Sequence, residues 1–224
     1  MKRDGDESVT TEAAGSGADR SLVLDFDGTI TEVDLLQEVS VRFGEPEVVR
    51  EVESALAQGR ISLREEITRE FAPVRTPLEE VVSWVLENVR IRPGFNELVG
   101  LAGARGWPVL ILSSGFHELI EPVLAREGVE AEVKANRLDA SPDGWRVLWR
   151  DGSVCPVCGQ PCKRAALPPR GGIVYIGDGY SDRCAALAAD RVFATRGLAR
   201  YFDAQGVAYE PFTDFFDVVR ALAD

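Results

Sequence analysis

Residues 21–29 read Ser-Leu-Val-Leu-Asp-Phe-Asp-Gly-Thr, and the fold turns on this stretch. A short apolar body without polar alternation is the pattern of a parallel strand covered on both faces, and the acids with Gly-Thr mark its opening into a loop. Asp25 and Asp27, two apart at the strand end, project to the same side. Gly28 lets backbone N–H groups approach an anion. Taken alone, Asp-x-Asp-Gly also serves as ordinary turn chemistry at a strand exit.

Two later runs repeat the plan. Residues 108–112 (PVLIL) exit into Ser113-Ser114-Gly115, and residues 172–176 (GIVYI) exit into Gly177-Asp178-Gly179-Tyr180-Ser181-Asp182. Helix-like spacing of apolar residues fills 35–43, 46–58, 63–71 and 78–88 with no strand candidate among them. This predicts an all-helical cap over 33–90, inserted into a core domain made of 21–32 and 91–224. Beyond Pro93 the spacing predicts a helix over 95–105, one over 116–127, a strand over 129–135 and a hairpin within 136–151 around Asp143-Gly144. The last stretch reads helix, strand (191–194), helix, a short strand near Val207 and a terminal helix. Strands alternating with helices imply right-handed crossovers and a Rossmann-like α/β parallel sheet.

The 224 residues suit one core domain with a smaller insertion. A formal charge of −12 opposes nucleic acid and anionic lipid as partners, and it makes a divalent cation or a few placed basic groups the expected means of holding an anionic substrate. Residues 1–20 lack the apolar run of a secretory signal and read as a disordered tail. No stretch approaches the roughly 20 apolar residues of a membrane helix. With four cysteines, three of them crowded together, a disulfide framework is not expected, and the cytoplasm is the expected compartment.

In open α/β sheets ligands bind beyond the carboxyl ends of the strands, where Asp25, Asp27, Ser113, Asp178 and Asp182 converge, with Lys163 shortly before the third strand. DFDGT, SSG after an apolar strand, a lysine and GDGYSD, in that order, resemble the four motifs of haloacid dehalogenase phosphatases over residues 21–190. The resemblance implies a magnesium-dependent phosphomonoester hydrolase acting on a small phosphorylated metabolite. Asp25 would be the nucleophile that forms an acyl phosphate, and Asp27 the general acid and base. Magnesium would belong to Asp25, Asp27 (through its backbone carbonyl) and Asp178, with Asp182 orienting the site. Gly28, Thr29, Ser113, Ser114 and Lys163 would surround the phosphoryl oxygens.

The helical insertion resembles the cap of phosphoserine phosphatase and its relatives. Asp34 stands nine positions after Asp25, where the serine enzymes carry a glutamate. DFDGTITEVD and GDGYSD look more like the branch of the 2-hydroxy-3-keto-5-methylthiopentenyl-1-phosphate and phosphoethanolamine/phosphocholine phosphatases. Asp34 equally suits a helix N-cap before Leu35. Arg60 resembles a cap arginine that meets substrate, and equally a solvated helix-end charge. His117, the only histidine, has no partner for a His-metal cluster.

Cys155, Cys158 and Cys162 have the spacing of a zinc knuckle, with only three ligands local. Cys184 is a possible fourth, although it falls in the helix predicted after Asp182. The other reading is that Cys162 packs as a small hydrophobe beside Lys163. Two functional alternatives to hydrolysis stay open: phosphoryl transfer between metabolites, as in mutases of the superfamily, and a phosphate-binding module without turnover. Intact Asp25 and Asp27 speak against the second.

Overall fold

The computed structural model describes residues 20–150, 152–169 and 171–223, so the tail expected over 1–20 lies almost wholly outside the described residues. A seven-stranded sheet forms the core, in the order β4-β3-β2-β1-β5-β6-β7. β1 (Ser21–Leu24) is central and pairs in parallel with β2 (Val109–Phe116) and β5 (Ile173–Gly177). β3 (Glu132–Ser141), β6 (Arg191–Ala194) and β7 (Glu210–Pro211) continue in parallel, and β4 (Gly144–Leu148) runs antiparallel to β3 at one edge.

The chain goes from β1 to β2 on one side and later returns to β5 on the other. This reversal opens a crevice at the carboxyl end of β1, the place where α/β sheets bind ligands. Both faces of β1 are buried. Leu22 and Leu24 pack into one cluster with Phe26, Ile111 and Ile176, and Val23 packs into the other with Leu112, Tyr175 and Phe202. That double burial is why Leu22, Val23 and Leu24 are apolar in succession.

Four helices follow β1: α1 (Leu35–Phe43), α2 (Pro46–Ala57), α3 (Leu63–Phe71) and α4 (Leu78–Asn88). The chain enters and leaves this group side by side: Glu32 N–H donates to Arg90 O at 3.0 Å, and Arg92 N–H to Ile30 O at 2.8 Å. The group rests on the β3–β4 hairpin, where the Trp145 ring stacks on Phe71 at 6.3 Å and its Nε1 donates to Thr76 O at 3.1 Å. The other helices are α5 (Phe95–Arg105), α6 (His117–Arg126), α7 (Arg183–Ala186), α8 (Arg196–Gln205) and α9 (Phe215–Ala223).

Several boundaries differ from the expectations. The strand expected over 108–112 continues to Phe116, because Phe116 rejoins the ladder opposite Asn136 after a register shift. The strand expected over 129–135 starts at Glu132 and runs on as the first arm of the hairpin. The last short strand lies at Glu210–Pro211 rather than near Val207, which instead follows the left-handed Gly206 that ends α8. Among the described residues no helix is long and apolar enough to cross a membrane.

Candidate active site

The first motif leaves β1 in one turn, Phe26–Ile30, broken at Asp27 (ψ 118°) and at Gly28 (φ 75°, ψ −9°). Gly28 is required twice over: its φ is left-handed, and a Cβ there would lie 2.5 Å from Asp178 Oδ2. Two arginines brace the turn from outside. Arg92, 9% exposed, donates to the carbonyls of Gly28 (2.6 Å), Thr29 (2.8 Å) and Thr213 (2.8 Å), and Arg196 lies 3.7 Å from Asp178 Oδ2.

Lys163 is the hub. Its Nζ lies 2.5 Å from Asp25 Oδ1 and 2.7 Å from Asp182 Oδ1, and all three side chains are buried. Asp182 is fully committed: Oδ1 also accepts from Tyr175 Oη at 2.7 Å, and Oδ2 accepts the N–H groups of Asp178 (3.0 Å) and Gly179 (2.9 Å). It is therefore built to orient its neighbours rather than to ligate an ion. Thr29 Oγ1 donates to Asp178 Oδ1 at 3.1 Å. Ser113 Oγ donates to Asp27 Oδ2 at 2.8 Å, while Asp27 Oδ1 is buried with no partner among the described residues. Gly115 lets β2 approach this pair, since a Cβ there would meet Asp27 Oδ2 at 2.9 Å.

Burial and neighbouring charge set the acidities. Burial, then the adjacent Asp182, holds the Asp25 carboxyl well above the ordinary range. Burial and then Asp34 raise Asp27 to about 7, where a carboxyl can both give and take a proton near neutrality. Asp178 is raised to about 6 by burial and Asp182. Burial alone would raise Asp182, but Lys163 overcomes it and keeps the group ionised. Carboxylate oxygens of Asp25, Asp178 and Asp182 lie within 4.8 Å of one another. With Asp182 committed, Asp25 and Asp178 remain as oxygen donors of the hard, anionic kind that suits magnesium.

The cleft above has two lobes. A cavity of about 310 Å³ runs from Ser113, Ser114 and Lys163 past Trp149 and Arg150 to Tyr180. The second, about 250 Å³, holds Asp25, Asp27 and Asp178 on the sheet side and Asp34, Glu53, Glu66 and Glu70 on the helical side. Asp34 thus does two things: it lines the cleft and accepts from Gln37 N–H at 3.1 Å as the cap of α1. Glu66 and Glu70 are buried without a bonding partner among the described residues. Burial first, then the charge of Glu53 and Asp34, raises Glu66 to about 7, and burial, then Glu66, Asp34 and Glu53, raises Glu70 to about 8.

Asp25, Asp27, Gly28, Thr29, Ser113, Ser114, Lys163, Asp178 and Asp182 are thus assembled in one place. Arg60 is not: it is exposed at the end of α2, bonded to Gln58 Oε1 at 2.9 Å and outside the cleft lining. His117 pairs with Glu121 along α6 at 2.7 Å. Cys184, a possible fourth member from the sequence, does join the cysteine group: the helix after Asp182 is a single turn, and its sulfur lies within 4.8 Å of those of Cys155, Cys158 and Cys162. Sequence reasoning missed Tyr175, Arg92, Arg196, Glu66 and Glu70. A lone hydroxyl inside the apolar run GIVYI was a usable signal for Tyr175. The arginines have no local pattern, and the glutamates read as a polar helix face.

Comparison with known proteins identifies the family. Residues 22–187 match the family described as haloacid dehalogenase-like hydrolase. A 2-hydroxy-3-keto-5-methylthiopentenyl-1-phosphate phosphatase of Geobacillus kaustophilus is 34% identical over 210 residues, covering 90% of this chain and 94% of the relative. Its counterpart in Geobacillus thermodenitrificans is 33% identical, covering 90% and 94%. Among solved structures, a phosphoserine phosphatase bearing a phospho-aspartyl intermediate analogue superposes with TM-score 0.65 at 18% identity, covering 90% of this chain and 98% of the other. A hydrolase from Salmonella enterica serovar Typhi gives 0.69 at 16% identity, covering 87% and 67%. This chain belongs to the haloacid dehalogenase-like hydrolase family and is one of its phosphatases.

Proposed function

We propose that the protein is a magnesium-dependent phosphomonoester hydrolase working through an aspartyl phosphate on Asp25. The observation that carries this is the pairing of two differently treated carboxyls: Asp25 held by Lys163, and Asp27 held on one oxygen by Ser113 with the other oxygen free. Asp25 Oδ1 is engaged by Lys163 and by Phe26 N–H at 2.7 Å, which leaves Oδ2 to attack phosphorus in line. The Oδ2–phosphorus bond forms as the phosphorus–oxygen bond to the leaving group breaks, and Asp27 supplies the proton that the leaving oxygen needs. Asp27 then takes a proton from water, the water oxygen attacks phosphorus, and the bond to Asp25 breaks to release inorganic phosphate. Lys163 and the Ser113 and Ser114 hydroxyls balance charge on the phosphoryl oxygens. Magnesium, held by Asp25, Asp178 and the Asp27 carbonyl, would supply neutralisation of that charge.

Similarity to the methylthiopentenyl-phosphate phosphatases over most of both chains favours a phosphorylated hydroxy-keto metabolite as substrate. Glu66 and Glu70 suit that class when protonated, as donors to hydroxyl or carbonyl groups. They also support a second reading, a phosphomonoester carrying an ammonium group, which would draw them into the ionised state. A screen of phosphorylated hydroxy-ketones against phosphoethanolamine, phosphocholine and phosphoserine tests both. Release of inorganic phosphate without an acceptor, lost on chelation and restored by magnesium, is expected, and Asp178→Ala is expected to raise the magnesium requirement sharply. Full turnover in excess chelator contradicts the metal assignment.

A further inference from the structure

The four cysteines take no part in this chemistry. Cys155, Cys158 and Cys162 come from one loop and Cys184 from α7, all four are free thiols, and their sulfurs lie within 4.8 Å of one another. A tetrahedral tetrathiolate zinc site, with zinc–sulfur bonds near 2.3 Å, has sulfurs ~3.8 Å apart, which lies inside this limit.

The loop is shaped for such a site. Val154 and Pro161 close it as an antiparallel bridge, Cys155 N–H donates to Gln160 O at 2.9 Å, and Gly159 N–H donates back to Cys155 O at 2.9 Å. Gly159 takes the left-handed φ of 70° that this return demands. The Val157 amide points at Cys155 Sγ at 3.4 Å, an arrangement that favours a thiolate. The loop has little core of its own beyond Cys155: Val154 is 64% and Val157 57% exposed, so its order is expected to lean on another source such as a bound ion.

We infer that Cys155, Cys158, Cys162 and Cys184 hold one structural zinc ion that clamps the Lys163 loop to the turn bearing Asp182. Cys162 immediately precedes Lys163, and Cys184 lies two residues beyond Asp182. The ion would therefore tie together the two chain segments whose side chains meet at 2.7 Å in the active site. Four protein ligands leave no open position for substrate, so the role is structural. Zinc content does not depend on the phosphatase reading, whereas the clamping effect is read at Lys163.

The test uses the full chain purified under reducing conditions without chelators or a metal-affinity tag. About one zinc per chain is expected. Replacement by cobalt should give the absorption of a tetrahedral tetrathiolate, a readout on the unaltered protein that needs no variant to fold. Cys184→Ser should weaken zinc binding at least about tenfold. Zinc removal should raise amide hydrogen exchange across residues 155–166 and lower kcat, with recovery on adding zinc but not magnesium. Failure of reduced protein to take up zinc overturns the inference. So does a native disulfide among these cysteines without zinc, a cobalt spectrum lacking thiolate charge transfer, or undiminished zinc affinity in Cys184→Ser. Loss of phosphatase activity in a zinc-replete chain would count against the proposed reaction and leave the zinc site standing.

Discussion

Two acidic walls face each other across the cleft, and they are built on opposite terms. At the strand ends Asp25, Asp27, Asp178 and Asp182 each have a bonding partner: Lys163, Ser113, Thr29, Tyr175 or a backbone N–H. On the helical side Glu66 and Glu70 are buried too, though less completely than Asp25 and Asp182, and have no hydrogen-bond partner among the described residues. Burying a carboxyl without a partner is costly, and the cost is reduced by keeping the proton. The strand-end wall is preorganised for one charge distribution before substrate arrives. The helical wall has carboxyls that a ligand could partner, so the proposed reaction assigns the chemistry to the first wall and the choice of substrate to the second.

The comparison breaks most visibly if the preorganised wall is altered. Asp25→Asn should lower kcat by roughly 10³-fold or more, since the amide has neither charge nor nucleophilicity, and Asp27→Asn should come close to it. Steady-state phosphate release by purified variants checks this, and substantial turnover by Asp25→Asn excludes the covalent route. Lys163→Ala should cost about 10²–10³ in kcat. It should also destabilise the fold by about 3–5 kcal/mol, because Asp25 and Asp182 would be left buried without their cation. Denaturant titration separates that loss from the catalytic one.

Much of the preorganised wall was legible in residues 21–29, 113–115 and 177–182, because each motif is local and each follows an apolar run of strand length. The bonds that make it a wall were not. Lys163 meets Asp182 across 19 positions and Cys184 joins cysteines at least 22 positions away, and only the packing of α7 against the turn after Lys163 brings them together. Ser113 and Ser114 were read as a loop, yet they are strand residues, because pairing of Phe116 with Asn136 keeps the ladder going. The cap wall was illegible for a different reason. In Leu63–Phe71 the run EEITRE has the composition of a solvated helix face, and only the packing of α3 over the cleft turns Glu66 and Glu70 inward.

The helical wall makes smaller predictions that sharpen the contrast. Glu70 is raised from 4.5 to about 8, so the folded protein keeps a proton that the unfolded chain releases. Its contribution is neutral below about pH 4.5 and increasingly destabilising as pH rises toward 8. Glu70→Gln should therefore stabilise the protein at pH 8.5 by on the order of 2 kcal/mol and have little effect near pH 4.5. Thermal unfolding at the two pH values reads the difference, and equal shifts at both would mean that Glu70 is not held protonated. Substrate preference should change with this variant more than kcat on a small generic ester. Arg60→Ala should be the mildest change, within about twofold in kcat/KM, since the side chain lies outside the cleft. A tenfold rise in KM would mean that the cap carries Arg60 inward when substrate binds.

The covalent intermediate is the central claim, and trapping it is the most direct test. With p-nitrophenyl phosphate the leaving group needs no proton, so Asp27→Asn should still be phosphorylated while lacking the base that activates water. Acid quenching followed by peptide mass spectrometry should then find one phosphoryl group on the peptide containing Asp25, with a matching burst of nitrophenolate. Turnover by the unaltered enzyme together with no phosphoryl group on Asp25 in the quenched variant, or one on a different residue, would contradict the mechanism.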